Sequence, residues 1–474
     1  MTVAPSYSAR TSRLQVAGAA LQSLRMQLTG ELITAHSIAF DEARQVQDIT
    51  VDAHPLAIVR AATAQDVATA ITFARRHDYP VAVRSGGHSL AGHSMIDDAV
   101  VIDMSGLKNI SIDPATRIAR VQAGVTSGDL AGPAAEHGLA LTTGDTSSVG
   151  FGGLATGGGI GFMVRKYGLA VDSLLQAQVV TASGDILTVS ADEHPDLFWA
   201  IRGGGGNFGV VTEFTFRLAP VPQILGGDLL LPATPEVVRG YLDYTVSAPD
   251  GLSTLANLMH VPPTEFMPFV PQEWVGKVVL SIIVCWTGDV EEGERALAPL
   301  RALATPVADT VRPMPYPSIY QSTAHQALRH GAAMRSMFAD ELSDETINAF
   351  LAGMERATSP FSIIHLRGLG GQLARVSNDA TAFAHRDKRY LVAVIGVWLD
   401  PEEDDTQHRG WTQSVWDDIR HEGSGVYVNF VADEGEARIH DAYPPATLAR
   451  LAEIKATYDP DNVFKHNQNI RPRA

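Results

Sequence analysis

From Ile58 to Leu218, short apolar runs alternate with amphipathic stretches and glycine clusters. The segments AIVRAA, YPVAVRS, AVVIDMS and RIARVQAG have the length and β-branched content of strands, whereas TAQDVATAITFARRH and TSGDLAGPAAEHG carry apolar residues at helical spacing. This predicts a mixed α and β unit joined by glycine loops. After RLAPVPQ the glycines thin out, and ILGGDLLLP, KVVLSIIVCW, FSIIHLRGLGG, RYLVAVIGVWL and VYVNFVA read as strands. Between them VEEGERALAPLRALA, SDETINAFLAGMERA and GWTQSVWDDIRHE read as helices. Long strands with intervening amphipathic helices predict one large sheet with helices on one face. The chain closes on PPATLARLAEIKATYDPDNVFKHNQNI, a helix with an Asp-Pro stop and a polar tail.

A length of 474 residues allows two or three structural units with sizeable cores. Hydrophobic residues make up 45% and charged ones 19%, an ordinary balance for a globular protein. A net charge of -17 argues against nucleic acid and anionic membrane as partners, because both demand clustered Lys and Arg. No run approaches a membrane span, and the N-terminal MTVAPSYSARTSRLQVAGAALQSLRMQL reads as an amphipathic helix rather than a signal segment. The expectation is therefore a soluble, cytoplasmic protein. With Cys285 as the one cysteine, no internal disulfide forms, and its place in VVLSIIVCW predicts a buried, inert thiol. No metal site is read from the chain.

Three glycine loops carry the candidate chemistry: RSGGHS, GFGGLATGGGIG and RGGGGNFGVVT. The third holds GxGxxG at Gly204, Gly206 and Gly209, yet a helix, HPDLFWAIR, precedes it and a strand, VVTEFTFRL, follows. A dinucleotide fingerprint requires the opposite order, so that reading fails on context. In RSGGHS, Gly86 and Gly87 end a strand, where successive N–H groups form a nest able to cradle a pyrophosphate; ordinary turn glycines are the alternative.

Taken in order, VAVRSGGHSLAGHS, VVIDMS, GGGIGFMVRKYGLAVDSL, VVTASGDI, HPDLFWAIRGGGGNFGVVTEF, GVYVNF and IKATYDPDNVFKHNQNI resemble the flavin-linked oxidases of the vanillyl-alcohol oxidase fold, in their berberine-bridge-enzyme-like branch. The resemblance runs from about Asp48 to the C-terminus. It implies an α+β protein: an FAD-binding domain of the PCMH type over residues 1–220, completed by 435–474, and a substrate-binding domain over 221–434 built on one large antiparallel sheet covered by helices. It implies FAD, bonded through its 8α-methyl carbon to a ring nitrogen of His88. His93, the second histidine of the motif, does not match the tether. Such a bond withdraws electron density and makes the flavin a stronger oxidant.

The same resemblance implies cofactor contacts from Arg84, Ser85, Gly86, Gly87 and Ser89 around the tether. Gly144, Thr146, Gly150 and Gly153, then Gly158, Gly159 and Gly161, are implied as the wall beside the isoalloxazine ring. Val211 in GVVT and Asn467 and Asn469 in the tail complete the set, although each of these turns reads equally well as a capped turn. Thr146 stands where many relatives carry a second, cysteinyl tether, so the flavin is expected to be monocovalent.

Tyr427 in GVYVNF matches a tyrosine that several family members use as base. Strand alternation would put Tyr427 and Asn429 on one face and Val426, Val428 and Phe430 on the other. A tyrosine with an ordinary pKa of about 10 needs a lowered value to serve as base near neutrality. Arg375 in GGQLARV is the candidate cation, with Gln372 nearby; a surface charge is the alternative for Arg375, since strand face is not assignable from the sequence. No carboxylate lies between Gly370 and Val376, where plant relatives place a glutamate base. The implied activity is an oxidase that takes hydride from a small-molecule alcohol, sugar or cyclic amine and passes the electrons to dioxygen, giving hydrogen peroxide. A flavin dehydrogenase, suggested by the bulk of Phe151 near the presumed oxygen path, and a non-catalytic flavoprotein are the alternatives. The segment NLMHVPPTEFMPFVPQEW reads either as pocket lining or as a core edge.

Overall fold

The computed structural model describes residues 18–432 and 434–473. Val100–Asp103 lies between Ala57–Arg60 and Val81–Arg84 as their parallel neighbour, and Glu31–Ile33 adds an antiparallel edge. Parallel pairing needs a crossover, and the helix Ala64–Arg76 supplies one. Thr63 and Asp66 start that helix as a reciprocal capping box, and the buried Asp66 carboxylate also accepts from the backbone N–H groups of Thr29, Gly30 and Ala62. A second, antiparallel sheet orders Ile110–Asp113, Ile118–Gln122, Val210–Arg217, Leu174–Val180 and Ile186–Ser190 across its width. The GxGxxG stretch is a single 3₁₀ turn, Gly205–Asn207, between the helix Pro195–Ala200 and the strand Val210–Arg217.

The remaining large sheet has eight strands and is antiparallel throughout. Helices Pro235–Ser247, Val290–Arg301, Asp344–Glu355 and Thr406–Ile419 bury their apolar stripes against one face of it. The period of two then decides what the other face presents. Ile364, Leu366, Val392 and Val394 belong to the helix-covered core, so Ile363, His365, Ala393 and Ile395 point the opposite way, toward a cavity against the first unit.

Two of the sheet's strands were not expected from sequence. Leu252–His260 carries Ser253, Thr254 and Asn257 among its apolar residues, and Gly331–Ala339 is rich in Ala and Met, which favour helix. Their central and edge pairings override those weak preferences. Two expected strands are corrected. VYVNFVA is not a strand: the chain leaves Gly425 at φ 138° and closes a 3₁₀ turn over Val428–Phe430. GGQLARV is not a strand either, because pairing stops at Gly368 and Gln372–Arg375 forms one helical turn after Gly371 at φ 60°.

Near the N-terminus residues 18–27 are helical, and the rest of the helix expected there lies outside the described residues. Cys285 is fully buried, and burial pushes its thiol well up. No helix among the described residues is long and apolar enough to cross a membrane.

The C-terminal helix Pro445–Tyr458 is fastened by a buried lysine. Lys455 Nζ donates to Asp459 Oδ2 at 2.7 Å and to the carbonyls of Asn207 at 2.7 Å and Phe464 at 2.9 Å. The Asn207 amide in turn donates to the Gln468 carbonyl, and its Oδ1 accepts from the Ile470 N–H. One ammonium thus ties the glycine loop to the tail. Removing one member of a buried ion pair strands the other, at a cost of about 3–5 kcal/mol. Lys455→Met is therefore expected to lower the unfolding free energy from urea titration by that amount, whereas Lys465→Met, at an exposed position in the same tail, leaves it within about 0.5 kcal/mol.

Candidate active site

A cavity of about 450 Å³ lies between the glycine loops of the first unit and the open face of the large sheet. Its floor starts where Val81–Arg84 ends. Gly86 stacks on Gly150 so closely that a Cβ on Gly86 would stand 2.3 Å from the Gly150 nitrogen, and only glycine permits that approach. Ser85 Oγ stitches the two loops, donating to the Ala123 carbonyl at 2.6 Å and accepting from Gly152 N–H at 3.2 Å. Gly87, at φ 73°, then turns the chain so that His88 reaches the cavity wall. Arg84 does not line the cavity: its guanidinium pairs with buried Asp103 at 2.6 Å and donates to the Ala43 and Gln45 carbonyls, so it fastens the strand end.

His88 Nε2 lies 2.9 Å from Ser148 Oγ. Burial, with the neighbouring His330 adding to it, pulls the ring down to about 4, so His88 is a neutral imidazole at neutral pH. His93 shares the wall, and its backbone N–H donates to Ser89 Oγ, another lining residue. Gly144, Thr146, Gly150 and Gly153 line the cavity as well. Thr146 Oγ1 donates to Gln326 Oε1 at 2.7 Å. Gly158, Gly159 and Gly161 are corrected: they stand behind the wall, where Gly161 packs on the Thr143 carbonyl and Gly159 N–H supports Tyr427. Val211 and Asn467 are on the wall, but Asn469 is not. Phe151 is buried against Phe216, 5.6 Å between ring centroids, and takes no part in the lining.

Tyr427 is 4% exposed. Its oxygen accepts from Gly159 N–H and from Asn429 Nδ2, each at 3.0 Å. With both lone pairs engaged, the phenol's own proton is free to be donated into the cavity. Burial raises the phenol above its ordinary value, against the lowering effect of those two hydrogen bonds. The cation expected to lower it is absent from the site. Arg375 is more than half exposed and pairs with Asp250 at 2.5 Å, and Gln372 merely accepts from Arg375. Neither lines the cavity. Tyr427 and Asn429 do meet, through the 3₁₀ turn and not through strand alternation, and the same turn brings Phe430 to the wall beside Tyr427.

The residues missed by sequence reading come from the sheet and from the 3₁₀ run Tyr316–Ala327 that crosses the cavity edge. His325, Gln326 and His330 belong to that edge. His365 belongs to the sheet face, 5% exposed, with Nδ1 3.2 Å from Asn257 Oδ1. Arg367, two residues on, donates to Asp145 Oδ2 at 2.6 Å and pins sheet to floor. Polar residues at alternate positions of the apolar run SIIHLRG were the available signal. The segment NLMHVPPTEFMPFVPQEW satisfies both of its readings, since Phe266 lines the cavity while Met267 and Val270 enter a small core.

The wall fits a large polar cofactor. A Cβ on Gly153 or on Gly206 would meet nothing within 4 Å, so backbone is bared to the space there. Ser94 Oγ, His466 Nε2 and Asn467 Oδ1 line the same cavity, buried and without partners. Unsatisfied buried polar atoms are costly, and a ligand rich in hydrogen-bonding groups answers them.

Residues 55–190 match the family model of an FAD binding domain, and residues 426–471 match the model described as berberine and berberine like. The chain is 30% identical to an uncharacterized FAD-linked oxidoreductase of Bacillus subtilis, covering 94% of this chain and 98% of that one. It is 32% identical to (R)-6-hydroxynicotine oxidase of Paenarthrobacter nicotinovorans, covering 95% and 98%. Among solved structures, 6-hydroxy-D-nicotine oxidase from Arthrobacter nicotinovorans superposes with a TM-score of 0.84 at 28% identity, over 94% of this chain and 98% of that one. The fold, the bared glycine wall and these likenesses agree: the chain belongs to the FAD-linked oxidoreductases of the berberine-bridge-enzyme-like family.

Proposed function

We propose that this oxidoreductase is an oxidase that removes hydride from a small-molecule alcohol, sugar or cyclic amine, on an FAD tethered once, through His88. The observation that carries the reading is the shared wall: a neutral histidine at the glycine floor and a buried tyrosine with an outward proton face one cavity. The relative named a 6-hydroxynicotine oxidase supports an oxidase acting on a small molecule. FAD, when bound, would supply a two-electron acceptor that dioxygen can reoxidise.

The protein's own residues do the rest. Ser148 engages His88 Nε2, which leaves Nδ1 as the nitrogen for the tether, and the imidazole is deprotonated and nucleophilic at neutral pH. Thr146 offers no sulfur for a second bond. Asn429 and Gly159 hold the Tyr427 ring so that its O–H hydrogen-bonds the substrate heteroatom and holds the adjacent C–H in place. The large sheet closes the cavity and keeps bulk water from the reacting carbon.

Acid-precipitated protein is expected to stay yellow, with FAD mass confined to the His88 peptide; release of all flavin into the supernatant overturns the tether. His88→Ala is expected to fold, hold FAD without a covalent bond and show a lower reduction potential. Anaerobic mixing with a panel of alcohols, sugars and amines, followed by air, tests the activity itself: the oxidase reading requires bleaching, then prompt return of the yellow colour with one hydrogen peroxide per turnover.

Tyr427→Phe keeps the ring packed on Phe430 and Phe383 and removes only the donor. Flavin reduction in a stopped flow is expected to slow by about 100-fold, the scale of losing the placement of the reacting carbon. Because burial raises the phenol, it stays protonated below its ordinary value of about 10. The rate ratio of wild type to variant is therefore expected to be constant from pH 6 to about pH 9, and a wild-type rate that climbs through that window only when Tyr427 is present would instead make the tyrosine a base.

A further inference from the structure

We propose that the substrate is an alcohol on a largely apolar frame, and that its O–H is received by the unprotonated Nε2 of His365. The inference rests on the oxidoreductase reading above and names the substrate class for the same site.

The geometry fixes the state of the ring. His365 and Asn257 are direct cross-strand partners on Ile363–Gly368 and Leu252–His260. The Asn257 Oδ1 only accepts, so the Nδ1 3.2 Å away carries the ring proton and Nε2 keeps its lone pair. That Nε2 is buried and has no partner, in a residue that lines the cavity. Its cross-strand neighbour on the other side is Ala393, too small to cover it. A buried acceptor left bare on a cavity wall has a ligand's hydrogen as its natural partner. Burial, then the nearby Arg367, pull the ring down to about 3, so it stays neutral and keeps that lone pair. A weakly basic imidazole suffices, because an O–H turns strongly acidic as hydride leaves the adjacent carbon. The step balances: the O–H proton ends on Nε2, the carbinol hydrogen leaves with its electron pair for the bound cofactor, and a carbonyl remains.

The wall around His365 selects the frame. Phe361, Ile363, Ile395 and Val397 flank it, and Phe430 packs edge-on at 6.4 Å between centroids. Large apolar side chains continue out to the mouth, where Phe266, Leu328 and Leu399 are 38%, 51% and 40% exposed. Exposed apolar residues gathered around a cavity mark a surface for an apolar ligand. At the cavity edge three polar atoms are already engaged within the protein: Gln47 Nε2 with the Gln326 and Leu328 carbonyls, His330 Nδ1 with the Leu328 carbonyl, and Gln326 Oε1 with Thr146. A sugar entering between these walls would bury hydroxyls without partners, while a single hydroxyl at the deep end finds His365 and Tyr427 on either side of Phe430.

The test uses the oxidised holoprotein and two readouts. Titration calorimetry with cumyl alcohol, a tertiary alcohol with no carbinol hydrogen to lose, measures binding without turnover, with D-glucose as the contrast. Cumyl alcohol is expected to bind and D-glucose to give no heat, and His365→Leu is expected to weaken cumyl alcohol by about tenfold. Anaerobic stopped flow with cinnamyl alcohol is expected to show flavin reduction slowed about 100-fold in the same variant. His365→Leu/Asn257→Leu removes both polar partners together, so it guards against a folding defect and is expected to reproduce both losses with a wild-type melting temperature. Flavin reduced by D-glucose and not by cinnamyl alcohol leaves the proposed function standing and overturns this inference. So does unchanged cumyl alcohol binding in His365→Leu. Flavin reduced by no compound sinks the proposed function and the proton transfer with it, and the calorimetry then decides alone whether His365 holds an apolar alcohol.

Discussion

Two loops distant in sequence touch backbone to backbone at Gly86 and Gly150, and the site depends on that contact. A single methyl group at either position would stand 2.3 Å from the other glycine's main-chain nitrogen, far inside van der Waals contact. Because the loops close on one another, the strand Val81–Arg84 ends against Phe151–Gly157 and the wall between them is bare peptide. His88 owes its place to this contact as much as to its own motif, since Ser148, its hydrogen-bond partner, stands two residues before Gly150. The Arg84–Asp103 pair secures the same strand end from behind, with the carboxylate wholly buried.

Against that floor the molecule lays the open face of an antiparallel sheet, and ion pairs set where it lands. Arg386, 1% exposed, binds both oxygens of Asp172 at 2.7 and 3.0 Å, joining a loop of the second unit to the segment after the glycine wall. Arg367 reaches Asp145 at the cavity edge. Bidentate or fully buried pairs specify geometry better than they add stability, since desolvation offsets most of their attraction. Lys455 does the same for the tail, in a spot where its charge meets one carboxylate and two carbonyls.

The titratable groups on the cavity wall are accordingly dominated by burial. His88 and His365 are held neutral and Tyr427 is held protonated, each mainly by desolvation. Among the described residues no lysine or arginine lines the cavity, so no cation there offsets the burial that keeps the tyrosine protonated. A tyrosine that accepts two N–H bonds and a histidine that accepts none are complementary: one presents a proton, the other a lone pair.

Much of this was legible without coordinates. The helices followed apolar spacing, the floor strands followed β-branched runs, and the glycine motifs with their histidine stood in a row that matched one family. These are local properties, set by side-chain period and by the conformations only glycine reaches. The glycine loops that wall the cavity were legible because close backbone approach leaves its mark as glycine. What surrounds the substrate was not. GGQLARV looked like a strand bearing a cation and is a helical turn with Arg375 in solvent, because two positive-φ glycines break the strand first. VYVNF alternates like a strand and is a turn, although Tyr427 and Asn429 still meet. His365 was printed in SIIHLRG, but its significance lies in which face the helices cover and which strand pairs with it. Alternation names two faces without saying which one is buried, and only the packing of helices against Ile364 and Leu366 turned His365 toward the cavity.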